Sequence, residues 1–97
     1  MTVTDIEALP EADLILTTWA LYRRSQAVDI PAAGAGDLIR AQSRLVHLVG
    51  PYTTSYGPRP VDPPDYDAIW RAVEDLFAVI EWHCGRDVAD QVGDEAA

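Results

Sequence analysis

Five of the seven prolines fall between positions 51 and 64, so no helix or central strand can run through that interval. Proline fixes φ and removes an amide donor, and regular structure must therefore stop near 50 and restart beyond 62. On the far side Tyr66, Ile69, Trp70, Val73, Leu76, Phe77, Ile80 and Cys84 recur three and four residues apart. That is the spacing of one face of a long helix. Asp62 is placed to cap it, Pro63, Pro64 and Asp65 fit its first turn, and Gly85 is its expected stop.

On the near side two further helices are expected. The first covers about 10–26, with Pro10 at its start, Glu11 and Asp13 at the positive end of the dipole, and Arg23 and Arg24 at the other. Thr4 and Glu7 have capping-box spacing, which suggests a helical turn within an N-terminal arm, 1–9. Stepping 100° per residue gathers Ala12, Ile15, Leu16, Trp19 and Tyr22 on one side, with Leu14 and Leu21 nearly opposite. The stretch VDIPAAGAG, 28–36, reads as a linker. Asp37 then caps a second helix over 38–49, and Gly50 ends it. Leu38, Ala41, Leu45, Val46, Leu48 and Val49 form its apolar face, leaving Arg40, Ser43, Arg44 and His47 outside. Residues 86–97 are polar and acidic and read as a frayed tail, with Val88 and Val92 able to dock one short turn. The expected fold is all-α: one domain, a small three-helix bundle with a Pro/Tyr-rich connection between the second and third helices. A chain of 97 residues has room for one core.

Composition removes several chemistries. There is no lysine, which excludes a Walker-type phosphate loop, a Schiff base and a pyridoxal site. One cysteine and two histidines cannot build a four-ligand zinc site by themselves. Cys84 has no intrachain disulfide partner, the first fifteen residues carry four acids where a signal peptide needs cations, and no apolar run is long enough for a membrane span. A soluble cytoplasmic protein is the expectation. Lys and Asn are both absent while Ala occurs fourteen times, which points to a GC-rich bacterial genome or a phage that infects one.

The net charge of -9 is concentrated: residues 60–97 hold ten acids and two arginines, whereas 37–59 hold one acid and three arginines. Asp67, Glu74 and Glu81 stand seven residues apart on the third helix, with Arg71 and Asp75 beside them. The stripe suits a basic partner, or is a solvated face held by Asp67–Arg71 and Arg71–Asp75 pairs. Trp82 lies about 180° from the core face, where a monomer would place a charge. It suggests contact with another chain, unless residues 86–92 fold back over it. Leu14 and Leu21, opposite Trp19, suggest a homodimer interface.

Other signals are weaker. His83 and Cys84 point about 100° apart on a helix and cannot act as a base and nucleophile pair. Cys84 reads as a packed thiol and His83 as a boundary residue. His47, beside Arg40 and Arg44, reads as ordinary exposed surface. The glycines before Asp37 fail as a dinucleotide fingerprint because Ile39 occupies the third glycine position, and TTSYG at 53–57 lacks a nucleophile-elbow setting. Pro60 and Pro63 make a single PxxP, while Tyr52 and Tyr56 suggest a connection packed on the bundle. Two arginines on one helix of an acidic chain are too few for duplex DNA, so no direct nucleic-acid binding is expected. The expected function is that of a non-enzymatic, acidic protein-binding module without a cofactor, an accessory or regulatory factor such as a phage-encoded inhibitor of a host protein. The alternatives are an assembly subunit of a larger particle and a metal-dependent hydrolase drawing on carboxylates such as Glu7, Glu11, Asp87 and Asp90.

Overall fold

The computed structural model describes residues 10–53 and 60–96, which form four α-helices rather than three and contain no strand. They are α1 (Glu11–Ser25), α2 (Ala32–Val49), α3 (Tyr66–Cys84) and α4 (Arg86–Ala96), with a short 3-10 turn at Gly50–Tyr52. The capping box of Thr4 and Glu7, and Tyr56 in the Pro/Tyr connection, lie outside the described residues.

α3 follows its sequence pattern closely. Ile69, Val73, Leu76, Phe77 and Ile80 are buried, each contributing about 1.5–3 kcal/mol by removal from water. Its start is three residues later than expected. Asp65, not Asp62, is the cap, and its carboxylate accepts the Ala68 amide at 3.1 Å. At the other end Gly85 takes φ of +97° and its amide donates to the Glu81 carbonyl at 2.9 Å. α4 follows at once.

α2 starts at Ala32, six residues before the expected first helical residue, so the apparent linker supplies its opening turn and more. Ala32, Ala33 and Ala35 favour helix strongly enough to carry two glycines, each of which costs about 1 kcal/mol relative to alanine. Gly34 is also buried for a packing reason. A Cβ built there would lie 2.5 Å from the ring of His83, so the absence of a side chain lets α3 approach α2. Past α2, the Tyr52 hydroxyl donates to the Asp62 carbonyl at 2.9 Å and ties the two ends of the Pro-rich connection together.

The reading of residues 86–97 as a frayed tail needs correction. Ala89, Val92 and Gly93 of α4 are buried, and the helix packs against both α1 and α3. This extra layer also corrects the expected dimer interface. Leu14 and Leu21 are 1% and 0% exposed within one chain, because α1 is enclosed by α2 on one side and α4 on another. Neither residue offers a surface to a second copy. The buried residues of α1 are Leu14, Ile15, Thr18, Leu21 and Ser25, while Leu16, grouped from sequence with Ile15 on one apolar side, is 67% exposed and Trp19 and Tyr22 pack at the margin of the core. Ser25 is accommodated by donating to the Tyr22 carbonyl at 2.6 Å and accepting from the Gln42 amide at 3.0 Å.

Candidate protein-interaction surface

The outer face of α3 carries the residues singled out from sequence. Trp82 is 86% exposed, so α4 does not fold back over it. Ala78, one turn earlier, is exposed as well, and Val79 is half-buried. With Asp37 and His83 these side chains line an open cleft of about 430 Å³ between α2 and α3. An exposed indole of this size gains nothing for the monomer and leaves a large apolar area in water.

The two flanks of that face differ electrostatically. Toward α2 the charges are neutralised. Arg44 pairs with Asp75 at 2.6 Å, Arg40 pairs with Asp37, and Asp37 also faces the His83 imidazole Nε2 at 3.3 Å. Asp75 therefore answers to a residue of α2 and not to Arg71, contrary to the intrahelical pairing expected. On the other flank Asp67, Glu74 and Glu81 are all exposed, as is Arg71. None of the four forms an ion pair among the described residues.

A second hollow, of about 570 Å³, lies between α1 and α2, lined by Tyr22, Ile39, Gln42, Ser43, Val46, His47 and Pro51. Ile39 is 60% exposed there. Sequence reasoning missed this hollow. The available signal is Ile39 itself, an isoleucine that falls off the apolar face formed by Leu38, Ala41, Leu45, Val46, Leu48 and Val49.

Cys84 is half-buried, its Sγ 3.8 Å from the Asp29 carbonyl, and His83 is held between Gly34 and Asp37, so the two side chains serve separate contacts. Asp87 and Asp90 are exposed on α4. Glu7 lies outside the described residues. Among the described residues no three His, Cys, Asp or Glu side chains converge to hold a metal ion, and no helix is long and apolar enough to cross a membrane. No protein-family model, curated protein or solved structure matches this chain.

Proposed function

We propose that the chain is a protein-binding module, an accessory or regulatory factor that acts by association and uses the outer face of α3 as its docking surface. The observation that carries this reading is Trp82, standing 86% exposed on that face while the core closes without it. Tryptophan is among the residue types most enriched at the energetic anchors of protein interfaces. The neighbouring Ala78 and Val79 supply a low apolar floor around it, and the paired and unpaired charges on either side form a polar rim.

A photocrosslinking amino acid at position 82, compared with one at the exposed Arg23 on α1, tests the reading in the native host. Position 82 is expected to yield a discrete protein adduct and position 23 none. Equal or absent crosslinking at the two positions overturns it. Trp82→Ala provides the control, because truncating so exposed a side chain is expected to change folding stability by less than about 0.5 kcal/mol.

A further inference from the structure

We infer that the partner segment seated on this face is a basic helix, with cations at seven-residue spacing opposite Asp67, Glu74 and Glu81 and an apolar side chain beside Trp82. The inference rests on the docking reading above and adds the chemistry of the occupant.

Three observations select it. The first is charge. The carboxylates toward α2 already have arginine or histidine partners, whereas those of Asp67, Glu74 and Glu81 have no ion-pair partner among the described residues. A second copy of this chain would bring the same surplus of negative charge. In a twofold antiparallel pairing of α3 helices, the two carboxylate rows fall on the same side of the seam and repel. Nucleic acid is disfavoured on the same ground.

The second observation is repeat length. Seven residues of helix span about 10.5 Å, and a second helix reproduces that repeat at the same seven-residue interval. A strand does not, since its same-side residues recur about every 6.8 Å. The row also slips about 20° around α3 with each step, which is the slip followed by helices crossing at about 20° in a left-handed pair.

The third is the position of the apolar cleft. Asp37, Ala78, Val79, Trp82 and His83 bound a space of about 430 Å³ on the α2 side of α3, and on the helical wheel Ala78 and Trp82 stand between that space and the carboxylate row, so a helix that runs along the carboxylates can lay one side chain of leucine or methionine size against the indole. Arg71 interrupts the acidic surface and sets the register. A cation placed opposite it is repelled, and an acid is favoured.

The test uses the full-length protein and two synthetic helical peptides of identical composition. One carries Lys at every seventh position with a Leu placed to meet Trp82, and the other has the same residues scrambled. Binding is read from the Trp82 indole N–H resonance, with the Trp19 and Trp70 indoles as internal references. The in-register peptide is expected to bind at least about ten-fold more tightly than the scrambled one. It should shift the Trp82 resonance alone, and lose that preference with Glu74→Lys/Glu81→Lys. Equal binding of the two peptides, or a preference that survives the double charge reversal, overturns the inference. The parent reading fails separately, through the loss of crosslinking at position 82 in wild-type protein. A crosslinked host partner that is retained by the Glu74→Lys/Glu81→Lys variant overturns the basic-helix inference while leaving the docking reading intact.

Discussion

A methyl group added at position 34 meets opposing demands. As a substitution in the first turn of α2, Gly34→Ala gains at most about 1 kcal/mol of intrinsic propensity. As a packing substitution it drives a Cβ to 2.5 Å from the His83 ring, and overpacking of this kind costs about 1–3 kcal/mol. The nearest atoms include Cγ, at the root of the imidazole, so a small rotation of the ring does not clear the clash. The clash outweighs the gain in propensity, and Gly34→Ala is expected to lower stability to chemical denaturation. In a His83→Ala background the obstruction is gone and the same substitution is expected to raise stability by up to about 1 kcal/mol. Destabilisation of equal size in both backgrounds would mean that the close approach of α2 and α3 is not the reason for glycine. Nothing in the sequence flagged this position, since GAG beside Ala and Pro looks like a linker until the facing imidazole is known. Trp82 was legible by contrast, because its place on the wheel depends only on the register of its own helix.

Helix α3 could be read from its apolar period alone, but α4 could not, and the difference lies in how much of each helix is covered. α3 buries a wide face whose residues repeat along most of its 19-residue length. α4 buries only Ala89, Val92 and Gly93, and shows water Arg86, Asp87, Asp90, Gln91, Asp94 and Glu95. A short stripe of small residues in an acidic segment carries too little apolar signal to separate a docked helix from a tail. What places α4 is the turn at Gly85. Its φ of +97° and ψ of 161° lie in a region open essentially to glycine alone, where other residues lose about 1–3 kcal/mol. Gly85→Ala is therefore expected to loosen α4 while leaving α3 in place. Hydrogen exchange should show faster amide exchange across 89–96 and unchanged protection at Ile69, Val73 and Leu76. Uniform acceleration through both helices would show instead that they unfold as one unit, with the strain distributed over the whole core. The same coupling explains why Leu14 and Leu21 look like a dimer interface in the sequence: without α4, α1 has one apolar stripe too many.

The distribution of charge bears on the stability of the entire molecule. Sixteen acids face seven arginines, and ten of those acids lie in residues 60–97. α3 and α4 are packed together and both carry the excess, with Asp67, Glu74, Asp75 and Glu81 on one and Asp87, Asp90, Asp94 and Glu95 on the other. Against this repulsion stand the ion pairs of Asp37 with Arg40 and Arg44 with Asp75, and the contact of Asp37 with the His83 imidazole. Each has at least one side well exposed, where such pairs are worth about 0–1 kcal/mol and are themselves screened by salt. Repulsion within the folded chain is therefore the larger electrostatic effect, and screening should stabilise the fold. Raising sodium chloride from about 10 mM to about 150 mM shortens the Debye length from about 30 Å to about 8 Å, which removes most of the interaction between α3 and α4 carboxylates that are not in contact. A gain of about 1 kcal/mol would raise Tm by about 4–8 °C for a domain of this size. A calorimetric Tm that falls over the same salt range would reverse the ranking and show that the ion pairs outweigh the repulsion. Glu74→Gln with Asp90→Asn should reduce the salt effect, because it removes one charge from each of the two helices at exposed positions that form no ion pair among the described residues. A basic helix lying on α3 would supply the same compensation that salt does, so binding and screening should be partly exchangeable. The Tm increment produced by the in-register peptide is accordingly expected to be larger at low salt than at high salt.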